Sequence, residues 1–137
     1  MIVVTGSTPA LQYDPDSRIR IVIDTPLKRF YEEHVAYLNA HDHLGLVENH
    51  YCEDAMVMST GYIVIGREAL YRHFAKYAGL MARLEVVTTD KWIESDNTFA
   101  FEATARTQWG LTRVHDAFVL RDGMIYRHFT GSIPLIR

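Results

Sequence analysis

The chain has 137 residues, close to the commonest size of a single domain and long enough to bury one core. Hydrophobic residues make up 48% and charged residues 23%, a composition that excludes an intrinsically disordered chain. A formal net charge of −3, with no basic run, argues against nucleic acid or an anionic membrane as the main partner. The single cysteine, Cys52, excludes an internal disulfide and any multi-cysteine metal site, and reads as a small half-buried residue at a helix end. No apolar run approaches the roughly 18 residues needed to cross a bilayer. Residues 1–4 are apolar but lack the charged start and the roughly 7–15-residue apolar stretch of a signal peptide, so a cytoplasmic location is expected.

Residues 1–24 read as an N-terminal arm punctuated by Gly6, Pro9 and Pro15, and residues 25–137 as the domain proper. Within the arm only 18–23 alternates like a strand, either at a sheet edge or packed on a partner subunit. Thr25 followed by Pro26 is a helix start, because threonine caps and proline suits the first helical position. Leu27, Phe30, Tyr31, His34, Tyr37 and Leu38 then recur at three and four residues, a helical stripe that should end near 39–42. Asp42 can cap a second short helix to about Tyr51. Short strands are expected over 55–58 and 62–65, and a third helix from Arg67 to about Ala78, closed by Gly79. The remainder reads as strands over 84–92, 98–109, 112–120 and 124–132, with turns at Asp96-Asn97, Gly110 and Asp122-Gly123. Helices first and a long antiparallel meander afterwards is an α+β pattern, with helices covering one face of a curved sheet.

Two stretches carry a family resemblance. The run His34-Val-Ala-Tyr-Leu-Asn-Ala-His-Asp42, followed by Tyr51-Cys-Glu-Asp-Ala-Met-Val57, resembles the first helices and first strand of ketosteroid isomerase and SnoaL-like proteins. His115-Asp-Ala-Phe-Val-Leu-Arg-Asp-Gly-Met-Ile125 resembles their terminal hairpin. The resemblance runs over roughly residues 26–132 and implies the nuclear transport factor two-like (cystatin-like) architecture: a cone-shaped barrel of curved antiparallel sheet around three N-terminal helices, enclosing an apolar pocket. That fold hosts isomerases, dehydratases, cyclases and non-catalytic subunits, so it does not dictate one reaction. Residue by residue, the isomerase's hairpin aspartate falls on Asp116 and its helix tyrosine on His34, with Tyr31 one turn away. The isomerase's basic aspartate falls near Ser59, and the cyclases' last-strand aspartate falls on Thr130. Neither chemistry carries over intact.

The candidate catalytic residues are therefore Asp116, His34 and His128. Strand alternation puts Asp116 and Phe118 on one face, and Tyr126, His128 and Thr130 on one face of the last strand. Pairing across the hairpin brings Asp116 and His128 together, a carboxylate–imidazole pair suited to general acid–base chemistry. The same two residues equally fit a core pair that merely satisfies its hydrogen bonds. Tyr31, Met58, Trp109, Phe118, Tyr126 and Thr130 are the candidate ligand-binding residues, shaping an apolar pocket or filling an ordinary core. His41, His43 and His50 surround the first helix junction without a clear third metal ligand, and surface exposure is their expected state; neither metal nor cofactor is expected. Glu102, Arg106 and Gln108 point away from the core, onto an outer sheet face expected to form a homodimer. Two functions remain open at this point: a cofactor-free isomerase, dehydratase or cyclase acting on an apolar carbonyl or polyketide-like molecule, and a non-catalytic binding or dimerisation module.

Overall fold

A computed structural model describes residues 2–5, 21–80 and 84–135. The elements in chain order are β1 (Ile2–Thr5), β2 (Ile21–Asp24), α1 (Pro26–Asn39), α2 (His43–His50), β3 (Tyr51–Met58), β4 (Ile63–Ile65), α3 (Arg67–Leu80), β5 (Glu85–Ser95), β6 (Thr98–Thr107), β7 (Gly110–Arg121) and β8 (Met124–Pro134). The first helix begins where the sequence places it. Thr25 is extended and its hydroxyl accepts the Lys28 N–H, while Pro26 occupies the first turn. Asp42 caps α2 through the Gly45 N–H at 2.9 Å. The third helix continues one residue past Gly79.

Six strands form one sheet in the order β4-β3-β8-β7-β6-β5. Four of its pairings are antiparallel, and the chain returns from the C-terminal meander so that β8 lies parallel to β3. The sheet is thus curved and unclosed, and antiparallel but for its β3–β8 pair. The strand expected in the arm does not join its edge: β2 pairs in parallel with β1 in a separate two-stranded sheet. The arm's segment 6–20 lies outside the described residues.

Alternation in β6 sends Phe99, Phe101, Ala103, Ala105 and Thr107 to the helix side, all buried. Tyr31 of α1 packs its ring 4.4 Å from Phe101 and 5.2 Å from Trp92. His34 lies 5.2 Å from the Phe118 ring. Each fully buried aromatic or aliphatic side chain of this kind is worth about 1.5–3 kcal/mol against leaving it in water. The start of α1 is also pinned to β5: Glu94, 2% exposed, accepts Thr25 Oγ1–H at 2.6 Å and Trp92 Nε1–H at 2.9 Å. Charged outer-face residues pair across strands, Lys91 with Glu102 and Arg106 with Glu85, both at 3.1 Å.

Two irregularities decide where side chains point. In β3 the pairing with β8 shifts between Tyr51 and Met56, so buried Tyr51 and Cys52 are followed by exposed Glu53 and Asp54 before Ala55 is buried again. The strand therefore begins at Tyr51, four residues before its alternating part. In β8, Val119 faces Arg127 while Leu120 faces Ile125, leaving Tyr126 as the extra residue of a β-bulge. Ile125 and His128, three apart, are consequently both buried.

Candidate active site

Between α1 and the concave sheet face lies a cavity of about 210 Å³. Tyr31, His34, Asp116, Phe118, His128 and Thr130 line it, so three expected catalytic residues and three expected ligand contacts converge there. Sheet register brings them together: Phe101 faces Asp116, Asp116 faces Thr130, and Phe118 faces His128 across adjacent strands. Engineered apolar cavities of about 150 Å³ hold benzene, so this space is large enough to admit a small molecule.

Three of the expected contacts are elsewhere. Trp109 is 65% exposed beside the β6–β7 turn and does not line the cavity, because β6 ends at Thr107 instead of running on. Met58 is paired with outward Phe129 and borders a depression on the outer sheet face. Tyr126 is carried off the His128 face by the bulge; the Arg121 and Arg127 guanidinium groups lie 4.1 and 3.7 Å from its ring. His50 also departs from expectation, being 2% exposed rather than a surface residue.

His128 has both ring nitrogens engaged. Its Nδ1 is 2.9 Å from the hydroxyl of Tyr51, and its Nε2 is 3.3 Å from Asp116 Oδ1. Since a carboxylate only accepts, the network assigns Nε2–H donating to Asp116, and the Tyr51 O–H donating to Nδ1. Burial holds the Tyr51 phenol well above its ordinary value, aided by the nearby Asp116 charge, so it remains a donor. The other oxygen of Asp116 has no hydrogen-bond partner among the described residues.

His34, 4% exposed, approaches from α1 with its ring centroid 6.5 Å from that of His128. Its Nδ1 is 3.3 Å from His50 Nδ1 on the helix side. Burial, then the proximity of His128 and His50, holds His34 well below the usual histidine value, so it is neutral at physiological pH. The Tyr31 hydroxyl, 2.6 Å from Thr89 Oγ1, is pushed up to about 12, mainly by burial. Tyr51 and His50 are the site residues sequence reading missed. Tyr51 stood in the resemblance motif and His50 near the helix junction, but nothing in their spacing signals which nitrogen or hydroxyl they meet. Among the described residues no group of three or more His, Cys, Asp or Glu side chains could hold a metal ion, and no helix is long and apolar enough to cross a membrane.

The helices-then-meander order and a cavity closed by α1 over a curved sheet define the NTF2-like fold, and solved structures share it. An NTF2-like protein of unknown function from Burkholderia xenovorans superposes with a TM-score of 0.68 at 16% identity, covering 82% of this chain and 86% of that one. A candidate polyketide cyclase from Sinorhizobium meliloti gives 0.64 at 15% identity over 77% and 98% of the two chains. TerC, co-crystallised with polyporic acid, gives 0.66 at 13% identity over 77% and 90%. No protein-family model and no curated protein matches the sequence.

Proposed function

We propose that this chain is a small-molecule enzyme that moves a proton between carbon and oxygen of an apolar carbonyl compound, as an isomerase, dehydratase or cyclase does. The observation that carries this reading is the Tyr51–His128–Asp116 chain, which ends in a carboxylate oxygen free of described partners beside a neutral histidine in one apolar cavity. Asp116 is the group that exchanges a proton with the ligand, and His34 supplies the lone pair opposite. His128, with both nitrogens committed, positions Asp116. The Tyr31 hydroxyl, protonated at neutral pH, is a donor for a developing oxyanion. The likeness to a candidate polyketide cyclase and to a protein crystallised with polyporic acid supports a cyclic, largely apolar ligand.

The test is turnover of one- and two-ring carbonyl compounds, found first by thermal-shift binding. Replacing Asp116 with Asn should lower kcat by about 10²–10⁴-fold, the usual worth of a positioned acid–base group. Full activity in Asp116→Asn with a compound the native protein converts sinks the assignment. A second reading, a binding module without catalysis, is favoured by Ser59 and Thr130 standing where relatives carry carboxylates. Tight binding with no turnover across the panel supports it.

The outer sheet face is proposed as the seat of a second copy. Ile93 and Phe129 are 50% and 40% exposed there, alongside Met58, Ala100 and Ala117. Lys91 and Glu102 on its border form an ion pair of both charge signs, compatible with a self-complementary two-fold contact.

A further inference from the structure

His34 is held from behind by two residues that do not line the cavity. His50, the last residue of α2, lies against α1: it stacks on Phe30 with ring centroids 4.0 Å apart at 20° and meets Tyr37 edge-on at 5.2 Å. Those contacts leave its two nitrogens facing two groups of α1. Nδ1 is 3.3 Å from His34 Nδ1, and Nε2 is 3.4 Å from Glu33 Oε1. Glu33 itself is 62% exposed, so the row Glu33–His50–His34 runs from solvent to the cavity.

The row has a direction. A neutral imidazole carries one N–H and one lone pair, and a carboxylate can only accept. Glu33 therefore selects the Nε2–H form of His50, which leaves the His50 Nδ1 lone pair to accept from His34 Nδ1–H. That in turn fixes the His34 lone pair on Nε2, the nitrogen with no hydrogen-bond partner among the described residues. The opposite order would set the bare Nε2 of His50 against a carboxylate oxygen.

We propose that Glu33 and His50 are positioning residues that lock His34 in its Nδ1–H tautomer, presenting the Nε2 lone pair to the cavity. This rests on the reading of His34 as the base, since the other tautomer would present an N–H donor to the ligand instead. When His34 takes a proton at Nε2, the resulting imidazolium shares its Nδ1 proton with His50, and His50 shares its own with Glu33. No oxidant or second reactant is involved, and the proton count is conserved along the row.

The test reads tautomers directly, by long-range proton–nitrogen NMR on the full chain labelled at histidine, at neutral pH and without ligand. His34 should be protonated at Nδ1 and His50 at Nε2. The Glu33→Ala variant, changed at an exposed position and therefore expected to fold, should reduce His34 to a mixture of tautomers, with the Nδ1–H form falling from nearly all to about half. A His34 protonated at Nε2 in the native chain, or one unmoved by Glu33→Ala, overturns the proposal. Because the readout needs no substrate, it separates two failures. An Nδ1–H His34 that Glu33→Ala disturbs upholds the row even in a chain that turns over nothing, and then only the catalytic reading falls. Where a substrate is in hand, Glu33→Ala should lower kcat several-fold with KM little changed.

Discussion

Replacing Tyr51 with Phe removes one oxygen from the centre of the site and little else. Tyr51 is fully buried and its hydroxyl is the described partner of His128 Nδ1, at 2.9 Å. His128 is 7% exposed, so the stranded nitrogen has scant access to bulk water. Leaving a buried acceptor unsatisfied costs about 1–3 kcal/mol, whereas the lost hydroxyl volume is too small to open a damaging cavity. For a domain of this size that corresponds to a fall in Tm of about 4 °C per kcal/mol. The loss should also be coupled to Asp116, because one His128 ring bridges the two groups, its Nδ1 accepting from Tyr51 and its Nε2–H donating to Asp116. A double-mutant cycle of Tyr51→Phe with Asp116→Ala, followed by urea unfolding, should therefore show an interaction energy of about 0.5–3 kcal/mol. Additivity within about 0.3 kcal/mol, with a single-variant cost under about 0.5 kcal/mol, would mean that the three groups are neighbours and not a hydrogen-bonded chain.

Stability should also fall on mild acidification. Burial lowers His34 well below the usual histidine value near 6.5 and lowers His50 from the same value, with Glu33 opposing in the second case. Both rings are neutral in the fold, whereas the unfolded chain takes up protons near 6.5, so the contribution is complete above that pH and declines as pH drops below it. Each group loses up to about 1.4 kcal/mol per pH unit in that window. Urea midpoints at about pH 7.5 and about pH 5.5 should differ accordingly, and a flat profile would contradict neutral burial. On the outer face, Phe129→Asp should convert a dimer of native chains to monomers in sedimentation velocity, and a monomeric native chain would remove the interface. At the junction of α1 and β5, Glu94→Leu should destabilise by about 1–3 kcal/mol by stranding the Trp92 N–H and Thr25 O–H donors, a loss read by thermal unfolding; no change would show that neither hydrogen bond matters.

Local chemistry made much of this molecule legible in one dimension. Thr25-Pro26 and Asp42 mark helix starts because capping is decided within three residues, and both caps form as expected. Asp122-Gly123 closes the last hairpin because both residues adopt positive φ, at 55° and 79°. Alternation in β6 and β7 placed Asp116 and Phe118 on the cavity face, since a regular strand changes face at every residue. Alternation failed where one strand carries an extra residue. The bulge at Tyr126 moved that side chain away from the His128 face, and the shift in β3 put Tyr51 inside, four residues ahead of the alternating stretch. A bulge reflects the mismatch between two paired strands, and a single chain segment holds no record of it. The same holds for the hydrogen bonds that give the site its chemistry. Sequence could nominate Asp116, His34 and His128 as residue types able to move protons, but which nitrogen each imidazole offers depends on partners 16, 17, 12 and 77 positions away. Those partners become neighbours only when α1 and α2 pack together and β8 lies down between β3 and β7.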